Sequence, residues 1–186
     1  MKIFKDGVEE AGAFENSEWS ATGNECSNKI KFDSEGEYSF KINVTDGNGN
    51  AADEYTSKTF IIDSDTPVIE VQENIADGSF IKDSQTFHIS VTDKYFDKSS
   101  AVLKYDITRP GKTKESGLTK TLNWTVDANN PKVRHSEVTF DEEGEIKFTI
   151  DCKDSAGRSA QQYVSGTFTI DKRDPVITFA SVTDGE

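Results

Sequence analysis

Residues 35–69 read EGEYSFKINVTDGNGNAADEYTSKTFIIDSDTPVI, and residues 143–177 read EGEIKFTIDCKDSAGRSAQQYVSGTFTIDKRDPVI. The second stretch repeats the first without a gap at an offset of 108 residues, with about half of the aligned positions identical. A period of roughly one domain length signals tandem domains. Within the first copy Tyr38, Phe40, Ile42 and Val44 alternate with Ser39, Lys41, Asn43 and Thr45. The second copy keeps the pattern, with Ile146, Phe148, Ile150 and Cys152 against Lys147, Thr149, Asp151 and Lys153. A period of two with one polar face is a half-buried antiparallel strand. The strands stop at Asp46-Gly47-Asn48-Gly49-Asn50 and Asp154-Ser155-Ala156-Gly157-Arg158. Gly and Asn tolerate the left-handed conformation, and Asp accepts bonds from nearby backbone, so both stretches read as hairpin turns. A second strand ends at Ile62-Asp63 or Ile170-Asp171, and Pro67-Val68-Ile69 or Pro175-Val176-Ile177 opens the next domain.

Working outward, short strands are expected at Lys29–Phe32 and Glu137–Phe140. Thr86–Thr92 is a strand with Phe87, Ile89 and Val91 inward; Ala101–Thr108 is another, with Leu103, Tyr105 and Ile107 on one side. Thr119–Val126 places Leu122, Trp124 and Val126 on one parity. Roughly seven short strands, with turn signals roughly every 8–12 residues, indicate a Greek-key β-sandwich. The expected domains are 1–66, incomplete at its start; 67–171, complete; and 172–186, the first strand of a further copy or a mobile tail. Nothing in the first copy matches Pro67 through about Ser99. It is therefore either an incomplete domain with an exposed sheet edge or a segment bounded differently.

Asp33-Ser34-Glu35-Gly36-Glu37-Tyr38-Ser39-Phe40 resembles the D-x-G-x-Y-x-C stretch of immunoglobulin-like domains, with Phe40 where the second cysteine would stand. The resemblance implies that Tyr38 forms a tyrosine corner, and that Ile146 leaves the second corner to be held otherwise. The whole repeat, from the EGE turn through D-x-x-G to the F-x-I-D…P-V-I junction, looks like the tandem Ig-like repeats of bacterial cell-surface and secreted proteins. That resemblance implies an all-β immunoglobulin-like sandwich, an extracellular location at the cell surface or in secreted form, and neighbouring repeats of the same parent chain as partners. It implies a non-catalytic stalk or spacer. The alternative is an adhesin-type module, binding a carbohydrate or host protein through loops at one end of the sandwich.

The formal charge of −13 argues against nucleic acid, whose binding needs clustered Lys and Arg. No apolar run approaches the ~18 residues of a membrane helix, so this segment is not expected to insert into a membrane. Neither a signal peptide nor an anchor flanks the repeats, so the chain is expected to be a segment of a longer protein. Cys26 and Cys152 stand at non-equivalent places in the two copies and read as free thiols.

Candidate sites are few. Asp46 to Glu54 begins like a calcium loop, but Ala51 replaces the EF-hand glycine and Ser57 its bidentate glutamate. The matching turn carries Arg158, which would repel an ion. The acidic junctions Asp63–Pro67 and Asp171–Pro175 are further calcium candidates, the second weakened by Lys172 and Arg173. Turn and linker chemistry is the preferred reading of all of them, with no cofactor expected. His88 and His135 read as surface residues, with no nucleophile placed near either, and Glu142–Glu143 is an inevitable pair among 34 acidic residues. No enzyme is expected. Trp124 reads as core, with Trp19 as its counterpart. The best ligand-binding candidates are Tyr95 and Phe96, in a loop at the sandwich end where binding loops of this fold gather.

Overall fold

The structure, a computed structural model, describes residues 1–10, 20–23 and 25–179. Trp19 lies outside them. The chain separates into two compact units, Met1–Asp65 and Thr66–Glu186.

The first unit holds β1 (Lys2–Lys5), β2 (Val8–Glu10), β3 (Ser20–Thr22), β4 (Glu25–Ser27), β5 (Gly36–Ile42), β6 (Tyr55–Thr56) and β7 (Phe60–Ile62). One sheet runs β2-β1-β5-β6, with β7 also pairing β5, and β3–β4 form a separate hairpin. Ile3 and Tyr38 are buried, and the Phe32 ring meets those of Tyr38 and Phe60, each at 5.1 Å. The Tyr38 hydroxyl donates to the Ser34 carbonyl at 2.8 Å, which is the expected tyrosine corner. No strand forms at 29–32, where only Ile30 makes an isolated bridge. Phe32 turns its ring into the aromatic cluster.

The second unit holds β8 (Val68–Val71), β9 (Ser79–Ile81), β10 (Gln85–Thr92), β11 (Phe96–Thr108), β12 (Glu115–Lys120), β13 (Thr125–Val126), β14 (Val133–Phe140), β15 (Gly144–Asp154), β16 (Tyr163–Val164) and β17 (Phe168–Ile170). One sheet runs β13-β14-β10-β8, the other β12-β11-β15-β17-β9, with β16 also on β15. Their inner faces share one core in which Phe87, Leu103, Phe140, Phe148, Ile150 and Phe168 are at most 1% exposed. Each such side chain stabilises the fold by about 1.5–3 kcal/mol. Phe87, Ile89 and Val91 point inward from β10 as their parity requires.

Three elements depart from the expected pattern. β11 begins at Phe96 rather than Ala101, with a register shift between Asp97 and Val102 that lets the ladder to β15 resume. The stretch 119–126 is not one strand: β12 and β13 belong to different sheets, and 121–124 carry the chain across between them. Leu122 and Trp124 pack on the core from this crossing, whereas Val126 is 59% exposed. An apolar parity run can therefore close the rim of a sandwich, where both sheets reach the core. β9 was not expected and pairs parallel with β17. Residues 171–179 form no strand, and Val176 and Ile177 are exposed.

Candidate functional site

The end of β15 and the turn after it are built by local chemistry. The Asp154 N–H donates to the Arg158 carbonyl at 3.0 Å, and Gly157 N–H to the Asp154 carbonyl at 3.2 Å. Gly157 takes φ +89°, a conformation open to glycine. The Arg158 N–H donates to Asp154 Oδ1 at 2.8 Å. The same frame closes the first unit's hairpin. Asp46 N–H donates to the Asn50 carbonyl at 2.9 Å, Asn50 N–H to Asp46 Oδ1 at 2.8 Å, and Gly49 has φ +89°. Before each turn, Phe40 N–H donates to Ser57 Oγ at 2.8 Å, and Phe148 N–H to Ser165 Oγ at 2.9 Å.

What differs is the carboxylate. Asp46 is exposed. Its Oδ1 also accepts the Asn48 N–H, and its Oδ2 accepts the Asn50 side-chain amide at 2.8 Å. The Asn50 amide foremost, then the Asn50 N–H, holds its carboxyl below the usual range. Asp154 is 3% exposed, and its Oδ2 is buried with no hydrogen-bond partner among the described residues. No ion pair joins Arg158 to Asp154 among the described residues; the backbone of Arg158, not its guanidinium, reaches the carboxylate.

Asp93 lies beside it. It follows β10, is 4% exposed, and its Oδ1 accepts the Tyr95 N–H at 2.6 Å. The loop is tied to the turn, because Ser155 N–H and Oγ–H both donate to the Tyr95 carbonyl at 2.9 Å. Phe96 then pairs with Asp154 across the β11–β15 ladder. As a result, a carboxylate oxygen of Asp93 and one of Asp154 lie within 4.8 Å of each other. At that spacing two charges repel by about 3 kcal/mol at an effective dielectric constant of ~20. Cys152, two residues back on β15, has its thiol pushed up to about 11, by burial first and then by the charges of Asp93 and Asp151. That thiol is a poor ligand and a poor nucleophile.

The other candidates are placed as follows. Tyr95 and Phe96 are both half-buried. Phe96 meets the Trp124 ring edge-on at 5.0 Å, and Lys94 Nζ sits 4.8 Å from the Tyr95 ring centre. His88 Nδ1 lies 2.6 Å from Glu73 Oε1, and this hydrogen bond raises its pKa. His135 Nε2 lies 3.0 Å from Asp127 Oδ2. Glu142 pairs with Arg109, which also holds Glu115. Both Cys26 and Cys152 are free thiols, as the copy positions require. At the junctions, Asp63 is buried and accepts the Asp65 N–H at 3.2 Å, and Asp171 is paired with the Arg173 side chain. Sequence reasoning missed the Asp93–Asp154 pair. Asp154 was visible as a turn residue, but nothing in the spacing linked it to Asp93.

Residues 24–115 match the family model of the bacterial Ig-like domain (group 3). No curated protein matches the chain. The match, the two packed sheets of the second unit and the absence of any helix among the described residues agree on the fold class, an all-β Ig-like β-sandwich.

Proposed function

We propose, from the match of residues 24–115 to the bacterial Ig-like domain model and from the all-β sandwich, a non-catalytic structural segment of a bacterial cell-surface or secreted protein, acting as a spacer made of tandem domains. The observation that carries this is the 108-residue recurrence of sequence together with its hydrogen-bonded frame. Glu35 Oε1 accepts the Ser64 N–H, and Glu143 Oε1 accepts the Lys172 N–H, both at 3.1 Å. β5 pairs β7 from Gly36↔Ile62, and β15 pairs β17 from Gly144↔Ile170. A spacer needs stiff units and repetition, since repeat number sets reach. The acidic balance of −13 keeps such an array soluble and self-repelling. Its natural partners are neighbouring repeats of its parent chain.

The test is a binding screen of the purified chain against glycans and host matrix proteins. The spacer reading expects no retention. Reproducible binding that Tyr95→Ala or Phe96→Ala abolishes, in variants that still melt cooperatively, would replace the spacer with an adhesin module.

A further inference from the structure

We propose that Asp93 and Asp154 form a binding site for a hard divalent cation of the calcium class at one end of the second unit's sandwich. The inference is independent of the spacer reading. Two features of the second unit carry it. The first is the convergence of two buried carboxylates, 4% and 3% exposed, with oxygens within 4.8 Å of each other. The second is Asp154 Oδ2, a carboxylate oxygen sealed from solvent and without a hydrogen-bond donor among the described residues. A buried, unsatisfied carboxylate oxygen is costly unless something positive meets it. Proteins resolve such sites by pairing the charge or by coordinating a metal.

The donor chemistry selects the ion. All charged donors are carboxylate oxygens, which suit Ca²⁺ rather than softer metals. Two carboxylates balance a divalent charge, and waters carried in with the ion would have to complete the six to eight oxygens that Ca²⁺ takes. The site is also pre-ordered: Oδ1 of each Asp is fixed by a backbone N–H, from Tyr95 and from Arg158. Bound cation would clamp the loop after β10 to the turn after β15. Asp46, in the equivalent turn, already has both oxygens bonded within its own turn.

The test is calorimetric titration of the chelator-treated full chain with CaCl₂, with thermal melts in calcium and in chelator. The expected result is saturable binding with an upward shift of the second unit's melt. Both effects should be lost in Asp154→Asn and in Asp93→Asn and kept in Asp46→Asn. Each Asn variant is near-isosteric, and its cooperative melt in chelator shows that it folds. An absence of binding by the parent chain, with identical melts in calcium and chelator, would overturn the proposal. Binding lost with Asp63→Asn but retained with Asp154→Asn would also overturn it, assigning the ion to the acidic junction.

Discussion

The turns at 46–50 and 154–158 share a backbone and differ in what their aspartate is for. In both, the aspartate carbonyl takes a glycine N–H and the aspartate Oδ1 takes the N–H four residues on. In the first, Asn48 and Asn50 surround an exposed Asp46 with donors. In the second, alanine and arginine replace those asparagines, the side-chain donor is gone, and the carboxylate is buried beside Asp93. Similar sequence thus fixes the frame, while the side chains around it decide whether a charge is satisfied locally. The lesson is that a turn motif is read correctly for shape and poorly for chemistry when its partner comes from another strand.

The largest effect that would sharpen this comparison concerns the strand leading into each turn. Phe148 is 1% exposed and touches Phe87, Phe140 and Tyr163. Phe148→Ala should destabilise its unit by about 3–5 kcal/mol in chemical denaturation. The half-buried Phe40 should cost less, about 1–2 kcal/mol. Equal losses would mean that the two cores are equally closed.

Thiol labelling separates the units next. Cys26 is exposed and Cys152 buried. In the folded chain Cys152 should react slower than Cys26 by on the order of 10²-fold or more, because its labelling waits on opening of the core. Rapid labelling of both, followed by mass spectrometry, would break the contrast.

Ser165→Ala leaves the buried Phe148 N–H without its acceptor, at a cost of about 1–3 kcal/mol. The equivalent Ser57→Ala acts on a part-buried bond that water can replace, so its loss should be smaller.

Much of this was legible because the signals were long and periodic. The eight residues of β10 and the eleven of β15 alternate cleanly, and the 108-residue repeat placed the second hairpin by analogy with the first. The Asp-to-Phe stretch at 33–40 pointed to Tyr38 and its corner. What was hidden had physical causes. β9 has only three residues, its Phe80 is 80% exposed, and its parallel partner lies far along the chain. The parity of Leu122, Trp124 and Val126 mimicked a strand although the chain there changes sheets. The Asp93–Asp154 pair depends on a contact between separate loops. Composition instead drew attention to Arg158, whose charge makes no ion pair with Asp154 among the described residues.

The smallest expected effect lies on the outer face of the second unit. His88 bonds Glu73, which raises its pKa above 6.5. A raised histidine pKa means that the pair's contribution is fully present below pH 6.5 and is lost as pH rises through the folded value. His88→Gln should therefore lower stability slightly in acid and converge with the parent in mildly alkaline buffer. An NMR titration midpoint for His88 at or below 6.5 would contradict the pairing.

The most direct measurement is a calcium titration followed by amide NMR at both turns of the same molecule. The difference between the two aspartates predicts that the Tyr95 and Arg158 N–H signals move together and saturate, while those of Asn48 and Asn50 stay fixed. Movement at both turns, or at neither, would contradict it and return both aspartates to ordinary turn chemistry.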